Sequence, residues 1–144
     1  MQPVVRQAQC DDVNALAKLT EQLGYKGNPN EIGTRLKVIL ASEQHGIFVA
    51  ENFEGSVVGW IVAERRLTLT SGMTVEITGL VVASTSRGQG LGKLLVQKTL
   101  AWAREIGLDK VSVSSNINRD GSHHFYKHLG FEQLKTSIKY IKYI

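Results

Sequence analysis

The stretch Thr74–Gly92, TVEITGLVVASTSRGQGLG, decides how the chain is read. Val75 to Val82 is a largely apolar run, which marks a buried strand. Ala83 to Ser86 is a short polar turn. Arg87-Gly88-Gln89-Gly90-Leu91-Gly92 then opens a helical pattern. Glycines at a strand-to-helix turn let a ligand approach the backbone, because no Cβ stands in the way. The first N–H groups of a helix lack internal partners and carry the positive end of its dipole. Such a turn is a seat for a phosphate-bearing ligand, and Arg87 adds a fixed positive charge at its rim.

Spacing separates the kinds of phosphate site. For a Walker A loop, the run from Gly88 to Gly92-Lys93 is one residue too short, and Leu94 stands where the metal-binding hydroxyl belongs. A dinucleotide fingerprint starting at Gly88 needs glycine where Lys93 stands; one starting at Gly90 needs it where Leu95 stands. Arg-x-x-Gly-x-Gly remains, carried by Arg87, Gly90 and Gly92.

That motif resembles the acyl-CoA pyrophosphate loop of the GNAT family of N-acetyltransferases. Gly79-Leu80-Val81-Val82 before it and Phe125-Tyr126-Lys127-His128-Leu129-Gly130-Phe131 after it are similar to the same family. The resemblance is specific from Val75 to Phe131 and is one of pattern only in the N-terminal half.

The pattern along the chain agrees with that family's order. Val4 to Ala8 reads as a strand, and Asp11 or Asp12 starts a helix that Gly24 ends. A loop over Tyr25 to Asn30 leads to a second helix, with Ile32, Leu36, Ile39 and Leu40 on one side, ending near His45-Gly46. Ile47–Glu51, Val57–Leu67 and Thr74–Val82 form an antiparallel meander, with Gly59 marking a bulge or a close approach. The main helix runs from about Gly90 to Ile106, and Val111–Ser115 follows as a strand parallel to the central one. A short helix from Asp120 to Leu129 comes next. Phe131 to Ile144 is expected to supply one or two closing strands, on the alternation of its last residues. The order β-α-α-β-β-β-α-β-α-β(-β) is a mixed α/β fold with a largely antiparallel sheet. In the family, strands 4 and 5 splay apart to admit the acyl-CoA, and Gly79 is placed to ease that departure.

At 144 residues, 42% hydrophobic, the chain is expected to be a single domain, 1–144, with a sizeable core. No apolar run approaches the roughly 20 residues of a membrane span. The N-terminus lacks the pattern of a signal peptide, and Cys10 alone excludes an internal disulfide, so a cytoplasmic protein without membrane partner is expected. The net charge of +4 is spread along the chain rather than blocked, which argues against nucleic acid and suits a polyanionic cofactor. The run Ile138–Ile144 is an edge-strand candidate for a homodimer.

The resemblance implies an acetyl-CoA site residue by residue. Leu80, Val81 and Val82 offer backbone groups to the pantetheine arm. Arg87, Gly88, Gln89, Gly90, Leu91 and Gly92 wrap the pyrophosphate, with Lys93 adding charge. Asn118, Phe125 and Tyr126 lie along the arm, and Tyr126 matches the family tyrosine that protonates the departing thiolate; a helix aromatic packed on the sheet is the plainer reading. Glu76 is the candidate base, since a carboxylate inside an apolar strand is costly unless satisfied or functional. Burial would bring such a group toward neutrality, and the same strand position carries the glutamate base in part of the family. A solvent-facing glutamate, or one paired with Arg65 or Arg66, fits the sequence equally. His124 and His128 share a helix face, but no third ligand accompanies them, so no metal is expected. The implied activity is acetyl transfer from acetyl-CoA to a primary amine of a small molecule or protein, by direct attack in a ternary complex. The alternative is a non-catalytic acyl-CoA sensor.

Overall fold

A computed structural model of the chain describes residues 3–115 and 120–144. These form two compact units, one ending at Val113 and one beginning at Ser114.

The first unit is built on a five-stranded sheet in chain order: β1 (Val4–Gln7), β2 (His45–Glu51), β3 (Val57–Thr68), β4 (Gly72–Val82) and β5 (Val111–Val113). All neighbours are antiparallel except β4 and β5, which pair in parallel over Val75↔Val111 to Ile77↔Val113. A crossover helix, α3 (Leu91–Glu105), joins that parallel pair. The ladder to β5 covers three residues, and among the described residues Thr78 to Val82 of β4 run on without a β5 partner. Among the described residues, the pairing of β4 with β5 thus stops at Ile77.

Period-two alternation assigns the two faces. Ile61, Ala63, Val75 and Ile77 are buried on the α3 side with Leu91, Leu95 and Val96. On the other side, Ile47 and Val49 pack with Leu16 of α1 (Val13–Gln22) and Leu36 of α2 (Pro29–Ala41), with Trp60 and Val62 against them. Burial of this order stabilises by about 1.5–3 kcal/mol per large aliphatic side chain. Asn28 caps α2 by accepting from the Asn30 N–H at 2.9 Å.

Several boundaries differ from expectation. Cys10–Asp12 is a single 3₁₀ turn ahead of α1. Asp12 caps that turn as expected, accepting from the Gln9 N–H at 2.7 Å, and its oxygens also lie 2.9 Å from both Arg6 terminal nitrogens in a part-buried ion pair. α2 ends at Ala41, and His45-Gly46 begin β2, where Gly46 makes room for Trp102: a Cβ there would lie 2.9 Å from the indole. One bulge falls at Thr78, the β3–β4 register passing from Val62↔Gly79 to Ala63↔Ile77, and a second shift lies beside Gly59 as expected, the β2–β3 register passing from Ala50↔Gly59 to Glu51↔Val57. Gly59 also bears out the expected close approach, with Leu95 3.2 Å from the position of a Cβ.

The second unit holds α4 (Asp120–His128) and a C-terminal segment. The closing strands are not formed: Phe131 to Ile144 have no strand pairing among the described residues. Isoleucine recurs every third residue, at 138, 141 and 144, so consecutive isoleucines would fall on opposite faces of a strand. Ile138, Ile141 and Ile144 are all strongly exposed.

Candidate active site

The loop that follows β4 is held at its root by backbone. Ala83 donates to the Val58 carbonyl at 2.7 Å, and Ser84 donates to the Gln22 side chain of α1 at 3.0 Å. Ser84–Ser86 is a 3₁₀ turn, and Ser86 is buried beneath it. From Arg87 to Gly90 the chain is exposed. Gly88 and Gly90 have φ of +81° and +78°, the left-handed region open to glycine, and a Cβ on either would meet nothing within 4 Å. The glycines therefore serve the backbone path and not internal packing.

Gly90 is the N-cap of α3, and among the described residues no side chain caps the helix's first N–H groups. The Leu94 N–H begins the internal ladder by donating to the Gly90 carbonyl at 3.1 Å. The amides just before it face outward at the positive end of a 15-residue helix. Arg87 and Lys93, both exposed, flank them. A helix N-terminus without a side-chain cap, open glycines and two cations suit a diphosphate.

Next to the loop, Leu80, Val81 and Val82 pair with Ile61, Trp60 and Gly59 on one edge only, among the described residues. Val81 is buried against Leu19. The other backbone edge suits an amide-bearing arm that extends the sheet. The Thr78 bulge turns β4 as it enters this segment. Gly79 takes the Trp60 ring, with the position of a Cβ only 2.6 Å from Trp60 Cζ3. Trp60 Nε1 is buried without a hydrogen-bond partner among the described residues.

Glu76 lies three residues before Gly79, with its side chain 19% exposed. It forms an ion pair with Arg66, one of the two arginines named from the sequence. Arg66 also lies 3.5 Å from Glu64, which lies 3.6 Å from His45. Glu76 holds the Arg66 guanidinium above its ordinary value. No sequence signal points to the Glu64 contact, because a cross-strand neighbour depends on register.

Tyr126 belongs to α4 in the second unit. It makes edge-to-face contacts with Phe125 at 5.1 Å and Phe131 at 5.6 Å between ring centres. The Phe131 N–H donates to the Tyr126 carbonyl at 3.0 Å, folding the chain back at Gly130, whose φ is +92°. Burial pushes the Tyr126 hydroxyl above the usual tyrosine range, so it keeps its proton at neutral pH. Asn118 lies outside the described residues. Among the described residues no cluster of His, Cys, Asp and Glu could hold a metal ion. A cavity of about 340 Å³ between β2 and α3, lined by His45, Lys98, Trp102 and Glu105, includes no residue of the glycine loop.

Comparison with known proteins identifies the class. Residues 14–131 match the model of the acetyltransferase (GNAT) family, and the chain belongs to that family. The aminoglycoside N(6')-acetyltransferase type 1 of Serratia marcescens is 24% identical over 136 residues, 92% of this chain and 93% of that protein. The aminoalkylphosphonate N-acetyltransferase of Salmonella typhimurium is 35% identical over 80 residues, 55% of this chain and 52% of that one. Among solved structures, aminoglycoside acetyltransferase AAC(6')-Iy in complex with a CoA-linked bisubstrate analogue superposes with a TM-score of 0.89 at 21% identity, covering 100% of both chains. A transcriptional regulator from Bacillus halodurans superposes at 0.87 with 23% identity over 98% of this chain and 100% of that one.

The protein is thus an acetyl-CoA-dependent N-acetyltransferase that moves an acetyl group to an amine. Acetyl-CoA is its co-substrate.

Proposed function

We propose that residues 1–144 act as one catalytic domain in which the loop Arg87–Lys93 grips the acetyl-CoA diphosphate. The open edge of Leu80–Val82 aligns the pantetheine arm. The family match spans both compact units, which supports treating them as one working domain. The observation that carries the reading is the uncapped start of α3 behind two left-handed glycines.

The chemistry follows from what amine acetylation demands. The ammonium must lose a proton, and Glu76 takes it, directly or through water. The neutral amine attacks the thioester carbonyl, and a backbone N–H near Leu80 or Val81 stabilises the oxyanion. Collapse breaks the C–S bond, the protonated Tyr126 hydroxyl delivers its proton to the thiolate, and the surplus proton on the new amide nitrogen restores the hydroxyl, directly or through water. The acceptor is a primary amine of a small molecule or of a protein.

Acetyl-CoA with a panel of amino acids, polyamines, aminoglycosides and peptides, followed by a thiol reagent, tests this. At least one amine raises CoA release well above hydrolysis; no rise with any member would oppose an enzyme of this kind. With the best acceptor, Glu76→Gln removes the acidic limb of the rate profile, and an unchanged profile eliminates the base assignment.

The exposed thiol of Cys10 is in keeping with a reducing, cytoplasmic setting, which cell fractionation checks. The exposed segment from Leu134 to Ile144 supports a homodimer. Light scattering is expected to give twice the chain mass and a lower mass for Ile138→Lys with Ile141→Lys. A native chain that scatters as a monomer at all concentrations would refute the dimer.

A further inference from the structure

Glu64 and Glu76 stand directly opposite each other in the β3–β4 register, on the face of the sheet that carries Trp60 and Val62. Like charges at such a position repel. Arg66 lies two residues beyond Glu64 on the same face and contacts both, pairing with Glu76 and lying 3.5 Å from Glu64. The other groups around the pair are few among the described residues. His45 on β2 is 3.6 Å from Glu64 and holds Ser42 Oγ at 2.8 Å through Nδ1. β5 places Ser112 opposite Glu76, which does not titrate. On α1, which also packs on β4, Lys18 and Glu21 are exposed.

We propose that Arg66 is a positioning residue for Glu76: it fixes the direction of the carboxylate and offsets the repulsion between two facing carboxylates, so that Glu76 is held ready to accept the acceptor's proton. This rests on Glu76 being the base. Arg66 has the geometry for it, because one guanidinium offers donors to two acceptors at once. Its side chain is 48% exposed, against 19% for Glu76, so solvent reaches the cation while the carboxylate below it is shielded. An ion pair kept only for stability would give a variant that loses rate by the same factor at every pH.

The test is a pair of titrations. In protein carrying ¹³C-labelled glutamate carboxyls, with the Glu76 signal assigned by its loss in Glu76→Gln, Arg66→Gln moves the Glu76 midpoint upward by more than about half a pH unit. Arg66→Lys restores most of the change. With the best amine of the acceptor panel, the acidic limb of kcat/KM moves the same way in Arg66→Gln. That shift is a loss of about threefold below the limb with the high-pH plateau retained. Circular dichroism and a melting curve confirm that the variants fold. An unmoved Glu76 midpoint in a folded Arg66→Gln protein overturns the proposal, as does a uniform loss of rate across pH. If the limb survives Glu76→Gln, the base assignment fails instead, and the carboxyl titration still decides whether Arg66 governs Glu76.

Discussion

Replacing Gly90 with alanine probes the loop where backbone geometry and ligand binding meet. Gly90 has φ +78° and ψ 9°, and a Cβ there would touch nothing within 4 Å. The penalty is therefore conformational and not steric, about 1–2 kcal/mol for an L-residue held left-handed. For a domain of this size that lowers the melting temperature by roughly 2–8 °C. The alternative is for the peptide to rotate out of that region and relieve the strain. Rotation re-aims the first amides of α3, and each charge-assisted hydrogen bond lost to a diphosphate costs about 1.5–3 kcal/mol. The dissociation constant for CoA is then expected to rise by about ten- to a hundredfold. Gly88→Ala, at φ +81° with the same open surroundings, should act similarly. Calorimetric titration of CoA into each folded variant, with a melting curve alongside, separates the two effects. A variant that melts at the native temperature, its strain relieved by rotation, yet binds CoA with native affinity would refute the assignment of this loop to the diphosphate.

Two further predictions concern other parts of the molecule. Tyr126→Phe keeps both ring contacts, so stability and CoA affinity stay close to native, while kcat falls by about a hundredfold or more. Because burial raises the Tyr126 value, native activity is held through neutral pH and lost only as pH climbs through that raised value. The phenylalanine variant lacks this alkaline limb in stopped-flow rates. Asp12→Asn leaves half-buried Arg6 with Glu51 as its remaining carboxylate and should cost about 3 kcal/mol in urea unfolding at neutral pH. Arg6 holds the Asp12 carboxyl below its ordinary value. Its stabilisation is thus fully present above about pH 4, the unfolded value, and fades as pH falls through the folded one. The native protein and the Asp12→Asn variant should converge in stability toward low pH, and parallel curves would contradict the assignment.

The fold is legible in the sequence where one local signal suffices. The strand, turn and helix from Val75 to Glu105 follow from an apolar run, a pair of left-handed glycines and a helical stripe, all adjacent in the chain. The meander is legible because its turns are short. What escapes is everything set by register. The Glu64–Arg66–Glu76 chain exists because β3 and β4 align Glu64 with Glu76, and nothing within either strand states that alignment. The Thr78 bulge escapes similarly: Gly79 hints at irregularity, but the need to seat Trp60 beside it is a contact between strands. The C-terminal run misleads because its residues favour strands while its threefold spacing of isoleucine leaves no single apolar face. For Glu76, the cost of a carboxylate in an apolar strand is a sound signal, and its ion pair with Arg66 meets that cost without settling its chemical role.

The most direct measurement is a crystal structure of the protein with CoA and its best amine acceptor. The account predicts diphosphate oxygens within hydrogen-bond distance of the backbone N–H groups between Gly88 and Gly92, and the Tyr126 hydroxyl beside the sulfur. Diphosphate bound elsewhere, with the α3 amides facing only water, would contradict it.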